Sequence, residues 1–223
     1  MRLYLDTADL GQIREMARLG VLDGVTTNPA IVAGTEKSYR NAVEDIAEVV
    51  DGPVFAQVIA ADADEMVREA RGYQEWAADV VAKIPATRAG FEALSRLRTG
   101  GIPAGTTVVF SVEQAVLAAK NDASFVAPYV GRLDDAGSDG VETVRRMQEI
   151  YDTYGFETEL LAASIRNTTQ AVALYEAGVD AVTMSPEVLE AHIPHPKTDE
   201  GVAGFEAAWG DRGSPLDERG DSS

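Results

Sequence analysis

The sequence predicts an α/β fold: a single (β/α)8 or TIM barrel with an extra helix at its carboxyl end. Short runs of apolar and β-branched residues alternate eight times with segments of helical length, which favours a parallel sheet with helical crossovers. Eight such units occupy about 190 residues, at the compact end of the size range of closed barrels. The main alternative is an open, doubly wound sheet. Its nucleotide-binding versions lose support, because the sequence contains neither G-x-G-x-x-G nor G-x-x-x-x-G-K-[ST].

The eight predicted strands are short, apolar and separated by helix-length segments. In chain order they are LYLDT (3–7), GVTTN (24–28), VFAQVI (54–59), DVVAKIP (79–85), GTTVVF (105–110), SFVAPYV (124–130), TELLAAS (158–164) and DAVTMS (180–185). The predicted helices between them are amphipathic, and several end at a glycine, the usual left-handed stop. They are residues 9–20, 36–50, 63–77, 90–100, 111–120, 140–155 and 168–178.

The extra helix is predicted at residues 198–209, where Val202, Phe205 and Trp209 fall on one face. This apolar face suits either a neighbouring subunit or the barrel of its own subunit. No linker interrupts the pattern, so we expect residues 1–209 to form one domain. The remaining residues, 210–223, are polar and rich in glycine and serine, and we expect a disordered tail.

Composition indicates a globular protein, which we expect to be cytoplasmic. The chain has 223 residues, of which 45% are hydrophobic, enough for one domain with a sizeable core. No apolar run approaches the roughly 18 residues of a membrane helix, and the sequence enters its first strand without a secretory signal. The absence of cysteine excludes disulfides and thiolate metal sites, and it is compatible with the cytosol.

The charge balance is strongly acidic, with 37 acidic against 19 basic residues and a formal net charge of −18. Such a surface repels nucleic acid and anionic membranes. Acidic residues are abundant and lysines few, with 4 lysines against 15 arginines and no long acidic block. This pattern favours a folded protein adapted to high salt, where ions screen the surface charge. The alternative is an ordinary acidic cytosolic protein.

Polar residues end the first seven predicted strands. They are Asp6, Asn28, Gln57, Lys83, Thr107, Tyr129 and Ser164. Active sites of such barrels lie at the carboxyl ends of the strands, so these side chains would form a ring around one cavity. Taken singly, a polar residue at a strand end usually does no more than begin a loop.

Lys83 is the residue on which the functional prediction depends, because it interrupts the apolar run ADVVAKIPATRAG. An ammonium held in a low-dielectric pocket has its pKa lowered, which leaves a usable amine at neutral pH. A neutral amine attacks a ketone to form an imine, and the protonated imine accepts electrons when the neighbouring C–C bond breaks. The alternative is a structural lysine paired with Asp6 or another carboxylate.

The other strand-end residues fit assisting roles. Asp6 would act as general base or hold the amine and substrate hydroxyls, and Asn28 would hydrogen-bond the lysine and a hydroxyl. Gln57, Thr107 and Tyr129 would together hold one water as a proton shuttle. For each of these residues the alternative is a satisfied buried hydrogen bond.

A phosphate site is predicted after the sixth and seventh strands. Ser164 and Arg166 lie in the SIRNTTQ segment that opens a helix, and helix amino termini favour anions. Arg132 follows the sixth strand, and arginine chelates phosphate well. Both arginines could instead be surface residues. His192 and His195 lack a metal-binding pattern, so we expect no metal and place them in a loop before the last helix.

The segments LYLDTAD, DGVTTNPAIV, FAQV, VAKIPAT, VAPYVGRLDD and LAASIRN resemble the small transaldolase family, which includes the fructose-6-phosphate aldolases. The resemblance runs from residue 1 to about 209. It implies a (β/α)8 barrel with the Schiff-base lysine on the fourth strand, which is Lys83, and no organic cofactor. It also implies that Asp6, Asn28 and Thr26 surround the lysine and substrate. By the same resemblance, Thr107 with residues 57 and 129 holds the catalytic water, and Arg132 and Ser164 bind a sugar phosphate.

Two positions separate the branches of this family. Transaldolases carry Glu where this chain has Gln57 and Phe where it has Tyr129, and the pair found here is typical of fructose-6-phosphate aldolases. The segments GRLDD and HPKTDEG look more like the small transaldolases. The resemblance therefore implies a fructose-6-phosphate aldolase, with a transaldolase as the alternative and a non-catalytic sugar-phosphate binding protein as a third reading. It also implies a homo-oligomer, a pentamer or a decamer of stacked pentamers.

Overall fold

The computed structural model describes residues 1–210 and 212–214. Its eight strands are parallel and close into a barrel in sequence order, which confirms the (β/α)8 prediction. The strands are β1 (Arg2–Asp6), β2 (Gly24–Thr26), β3 (Val54–Gln57), β4 (Val80–Pro85), β5 (Ala104–Val109), β6 (Phe125–Pro128), β7 (Glu159–Ile165) and β8 (Ala181–Met184).

The helices of the described residues surround the barrel. They are α1 (Leu10–Ala17), α2 (Pro29–Ala33), α3 (Tyr39–Ala47), α4 (Ala63–Tyr73), α5 (Arg88–Thr99), α6 (Val112–Lys120), α7 (Val130–Asp135), α8 (Gly140–Tyr154), α9 (Thr168–Glu176), α10 (Pro186–Glu190) and α11 (Pro196–Trp209). Most begin at a side chain that accepts a hydrogen bond from a backbone N–H of the first turn. These caps are Asp9, Asn28, Ser38, Asp62, Thr87, Ser111, Asp139, Asn167, Ser185 and His195.

Three short helices, α2, α7 and α10, were not among the predicted elements. Two of them begin at an Asn-Pro or Ser-Pro pair, in which Asn28 or Ser185 is the cap and the proline takes the first helical position. The third, α7, corrects the predicted strand 124–130. That strand ends at Pro128, and the carbonyl of Tyr129 accepts from the N–H of Leu133 at 3.0 Å, which starts the helix.

The third strand is also shorter than the predicted 54–59. The N–H groups of Ile59 and Ala60 donate to the carboxylate of Glu69 at 2.7 and 3.1 Å instead of to a neighbouring strand. The final helix begins two residues before the predicted 198 and ends at residue 209 as predicted. Most of the tail for which disorder was predicted lies outside the described residues.

The barrel interior is closed below the carboxyl ends of the strands by aromatic side chains. Tyr4, Phe55 and Phe125 form successive edge-to-face contacts, with ring centroids 5.0 and 4.9 Å apart. A Cβ atom at Gly105 would overlap the ring of Phe125, so the absence of a side chain on β5 makes room for this ring. These rings are the floor of the barrel, and the polar strand ends lie above it.

Candidate active site

A cavity of about 100 Å³ opens at the carboxyl ends of the strands. Its lining includes all the predicted site residues except Gln57 and Arg166. The polar lining consists of Asp6, Thr26, Asn28, Lys83, Thr107, Tyr129, Arg132, Ser164 and Thr183. Its apolar lining consists of Phe125, Ala127, Leu161 and Ala163. The structure therefore brings side chains from seven strands, from α7 and from the cap residues of α2 and α7 into one space.

Lys83 lies on β4, where its backbone pairs with Gln57 of β3 and Gly105 of β5. Only 6% of the residue is exposed. Burial lowers the pKa of Lys83 to about 8, and the nearby Asp6 carboxylate opposes this shift. About a tenth of the amine is therefore uncharged at pH 7, far more than for an ordinary lysine, and the uncharged amine is the form that attacks a carbonyl.

Asp6 is oriented by hydroxyl groups on both neighbouring strands. The Thr26 hydroxyl donates to Asp6 Oδ1 at 2.7 Å and lies 2.7 Å from the Thr183 hydroxyl. Because Thr26 has one hydroxyl proton and uses it on the carboxylate, Thr183 must be the donor between the two threonines. The chain of hydroxyl groups fixes one face of the carboxylate, and the second oxygen is left to act on a ligand.

Thr107 and Tyr129 form a second polar pair, with 3.0 Å between their hydroxyl oxygens. Burial raises the pKa of the Tyr129 phenol, so its hydroxyl keeps its proton at neutral pH. The pair lies where β5 and β6 lose regular register, and Val108 there has a left-handed φ of 57°. Such a conformation is a real outlier for a β-branched residue, and it redirects the chain between Thr107 and the rim.

Gln57 lines a groove that continues from the cavity toward the rim, not the cavity itself. The groove is lined by Asn28, Pro29, Ala30, Gln57, Val108, Phe110, Tyr129 and Arg132. Gln57 and Tyr129 therefore face the same groove, and Tyr129 also lines the cavity. Asn28 also borders both spaces. Its Oδ1 accepts from the N–H groups of Ala30 and Ile31 at 3.0 Å each, which leaves its amide nitrogen to donate to a ligand.

The structure separates the three residues for which the sequence predicted phosphate binding. Arg132 on α7 and Ser164 at the end of β7 both line the cavity, and Ser164 has a left-handed φ of 58°. Arg166 does not reach the cavity, because its guanidinium pairs with the carboxylate of Asp135 at the surface. This ion pair joins α7 to the segment after β7, so Arg166 can affect the site only indirectly, by holding α7 in position.

These features agree with what the comparison with known families finds. The profile of the family described as transaldolase/fructose-6-phosphate aldolase matches residues 3–215. The chain belongs to this family.

Curated relatives support the assignment over nearly the whole length. A protein of Symbiobacterium thermophilum named "Probable transaldolase" is 44% identical over 209 residues, which cover 94% of this chain and 97% of that protein. A protein of the same name from Chelativorans sp. is 41% identical over 216 residues and is covered in full. This transaldolase-family chain is therefore an enzyme of a family that acts on small sugar phosphates.

Solved structures with a similar shape are more distant. A mandelate oxidase variant with an FMN adduct superposes with a TM-score of 0.58 at 14% identity, over 83% of this chain and 64% of that one. A likeness at this identity reflects the shared barrel fold alone.

One polar residue of the cavity was not predicted from the sequence. Thr183 was missed because the strand-end pattern was followed through only seven strands, although an inward threonine on buried β8 was the available signal.

In the described part of the chain, no group of three His, Cys, Asp or Glu side chains is placed to hold a metal. No helix there is long and apolar enough to cross a bilayer.

Proposed function

We propose that this enzyme is a Schiff-base aldolase that reversibly splits fructose 6-phosphate into dihydroxyacetone and glyceraldehyde 3-phosphate. The observation that carries the proposal is the buried Lys83 amine, with its pKa lowered to about 8, beside the oriented Asp6 carboxylate in one cavity. A structural lysine would be expected to donate to a carboxylate. Here the Asp6 carboxylate accepts its hydrogen bond from the Thr26 hydroxyl instead.

The proposed reaction uses the amine as a nucleophile and the protonated imine that it forms as the electron sink. Lys83 Nζ attacks C2 of the ketose, water leaves, and a protonated imine forms. Asp6 takes the proton of the C4 hydroxyl, the C3–C4 bond breaks, and its electron pair moves toward the imine nitrogen. Glyceraldehyde 3-phosphate leaves and an enamine remains on Lys83.

The fate of the enamine separates the two candidate reactions. In the aldolase, a water held by Gln57, Thr107 and Tyr129 protonates C3, and hydrolysis of the imine releases dihydroxyacetone. The phenol of Tyr129 supports this assignment, since it retains its proton and lies 3.0 Å from Thr107. Without that proton the enamine attacks an aldehyde acceptor, which is the transaldolase reaction.

Transaldolase activity is the second candidate, because the curated relatives carry that name. It would transfer the dihydroxyacetone unit from fructose 6-phosphate to erythrose 4-phosphate. The roles of Lys83 and Asp6 would be the same in both reactions. Only the handling of the enamine by Gln57 and Tyr129 would differ.

The decisive experiment measures glyceraldehyde 3-phosphate release from fructose 6-phosphate in molar KCl, with and without erythrose 4-phosphate. Lys83→Met supplies the blank. Release without acceptor is the expected result and makes the enzyme an aldolase. Release only with acceptor would make it a transaldolase and overturn the role given to Gln57 and Tyr129.

The third reading, a non-catalytic sugar-phosphate binding protein, predicts an unreactive lysine. Incubation with dihydroxyacetone and borohydride should reduce the imine and add a three-carbon group to Lys83, as read by mass spectrometry of the Lys83 peptide. An unmodified peptide would support the binding protein instead of either enzyme.

Substrate binding is proposed to divide between the depth of the cavity and its rim. Thr26 and Asn28 would contact the hydroxyl groups near Lys83, and Arg132 and Ser164 would bind the phosphate. Arg132→Ala should raise KM for fructose 6-phosphate about tenfold or more, because arginine makes charge-assisted hydrogen bonds to phosphate. An unchanged KM would remove Arg132 from the phosphate site.

We further propose a cytoplasmic homo-oligomer, a pentamer or decamer, in which α11 packs on a neighbouring subunit. No residue of α11 is buried against the barrel of its own subunit, and Val202, Phe205 and Trp209 are 51%, 80% and 39% exposed. Sedimentation in molar KCl should give an assembly that Phe205→Glu dissociates. A monomer in the wild-type protein would contradict the proposal.

A further inference from the structure

We propose that Tyr39 and Tyr73 are positioning residues for Gln57. Their hydroxyl groups bind the Gln57 backbone at the point where a hydrogen bond between β2 and β3 is missing. This inference rests on the proposed role of Gln57 in the aldolase reaction. It concerns two residues from helices outside the barrel, neither of which lines the cavity or the adjoining groove.

The missing hydrogen bond follows from the sequence just after β2. The N–H groups of Val25 and Thr27 donate to the carbonyls of Pro53 and Phe55 at 3.1 and 2.9 Å. In a parallel ladder the next rung would run from residue 29 to the carbonyl of Gln57. Residue 29 is a proline and has no N–H to donate.

The two phenols occupy this gap. The backbone N–H of Gln57 donates to the Tyr39 hydroxyl at 2.7 Å, and its carbonyl lies 3.1 Å from the same hydroxyl. The Tyr73 hydroxyl donates to the same carbonyl at 3.2 Å. Both backbone polar groups of Gln57 on the β2 side are therefore satisfied by side chains from α3 and α4.

These hydroxyl groups are held in place and remain protonated. The rings of Tyr39, Tyr73 and Trp76 pack together, with centroid separations of 6.0, 5.9 and 4.3 Å. Burial raises the pKa of Tyr39 to about 12, and it raises the pKa of Tyr73 as well. Both phenols therefore keep their protons throughout the range in which the enzyme would work.

On its other side, the end of β3 is joined to the strand of the reactive lysine. The N–H of Val58 donates to the carbonyl of Lys83 at 3.1 Å. Gln57 is thus fixed between the Lys83 strand and the aromatic cluster, and it shares the groove with Tyr129. Removing the phenol oxygens would free the Gln57 backbone while leaving Lys83 and Asp6 in place.

The first test is Tyr39→Phe, which keeps the ring and removes the hydroxyl. Aldol cleavage without acceptor should fall about tenfold in kcat, because displacing Gln57 would misplace the water that protonates C3. Borohydride trapping of dihydroxyacetone on Lys83 should stay within about twofold of wild type, since imine formation does not use Gln57. Tyr73→Phe should show a smaller loss, because the Gln57 carbonyl keeps the Tyr39 hydroxyl nearby.

The matched control is Tyr151→Phe. The Tyr151 hydroxyl is also buried and donates to a backbone carbonyl, that of Ala115, at 2.7 Å, but this residue lies on α8 away from the cavity. The control measures what the loss of one buried phenol–carbonyl bond does through stability alone. Equal losses of kcat in Tyr39→Phe and Tyr151→Phe would overturn the proposal.

A double-mutant cycle with Gln57→Ala makes the test specific. If Tyr39 acts through Gln57, Tyr39→Phe should cause no further loss of kcat in the Gln57→Ala background. A full additional loss in that background, or a Gln57→Ala variant as active as wild type, would overturn the inference. If wild-type enzyme turns over only with an acceptor, the proposed aldolase function fails, and the same cycle measured on transfer to erythrose 4-phosphate decides the positioning role separately.

Discussion

At the scale of single residues, the site is governed by one ammonium group taken out of water. The folded protein disfavours the charged form of Lys83, because burial lowers its pKa from 10.5 to about 8. Between these values the unfolded chain binds more protons than the folded one, so stability rises with pH over that window. Below pH 8 the full cost of burying the charge is present.

Lys83→Met should therefore raise the free energy of unfolding by on the order of 3 kcal/mol near pH 7. The gain should fade as the pH rises from about 8 toward 10.5. Urea denaturation at pH 7 and pH 10 measures it. Lys120→Met changes the exposed lysine that ends α6 and should not raise the free energy of unfolding comparably at either pH. An equal rise in Lys120→Met would show that the stabilisation does not come from burial of the Lys83 charge.

Imine formation should follow the same titration. The rate of borohydride trapping of dihydroxyacetone should rise with pH to a midpoint near 8, where the Lys83 amine loses its proton. Asp6→Asn should move this midpoint to lower pH, because the Asp6 carboxylate raises the pKa of Lys83. A midpoint near 10.5, or one that Asp6→Asn moves upward, would contradict this account of the amine.

The limits of sequence-based prediction are also visible at this scale. The inward residues of the strands were predictable because side chains alternate along a strand and strand ends meet at one edge. Arg166 was not, because its partner Asp135 lies 31 residues earlier on another element. Tyr39 and Tyr73 escaped notice for the same reason, since their contact with Gln57 depends on how helices pack on the barrel.

At the scale of elements, alternation predicted all eight strands, while strand ends and short helices were predicted less well. A strand ends where the neighbouring strand no longer supplies backbone hydrogen-bond partners. Glu69 ends β3 in this way, and Tyr129 begins α7. Such partners are distant in sequence or belong to turns, so apolar periodicity alone overestimates the length of a strand.

The position of α7 depends on a glycine. A Cβ at Gly131 would lie 2.5 Å from the carbonyl oxygen of Ser164 and 2.6 Å from Nε of Arg166. Gly131→Ala should therefore push α7 away from β7, lower stability by about 1–3 kcal/mol, and raise KM for fructose 6-phosphate by moving Arg132. Unfolding in urea and steady-state kinetics measure the two effects.

The control for this prediction is Gly72→Ala on α4. A Cβ at Gly72 would meet no atom within 4 Å, so alanine there should be neutral or should stabilise the helix by up to about 1 kcal/mol. An unchanged KM in Gly131→Ala, with stability as in the control, would show that α7 does not need close contact with Ser164.

At the scale of the whole molecule, the net charge of −18 sets the solution conditions. Self-repulsion destabilises a compact, highly charged protein, and salt shortens the range of that repulsion to roughly 3 Å at 1 M. The melting temperature should therefore rise between 0.1 and 2 M KCl by several degrees, on the order expected for about 1–2 kcal/mol in a domain of this size. Differential scanning fluorimetry measures it.

Sucrose is the control, because it favours compact states without screening charge. A rise in KCl that clearly exceeds the rise in sucrose supports adaptation to high salt. A melting temperature independent of KCl would favour the ordinary acidic protein considered at the outset.

The aromatic floor of the barrel bears on the order in which the two products would leave. Tyr4, Phe55 and Phe125 pack together below Lys83, so the cavity is closed at its base and open at the carboxyl ends of the strands. In the proposed reaction, the sugar would enter with its ketone end leading, and its phosphate would remain near Arg132 at the mouth of the cavity. After cleavage, the phosphorylated fragment would stand between the mouth and the fragment bonded to Lys83. The half of the substrate that enters last would therefore be the first product to leave.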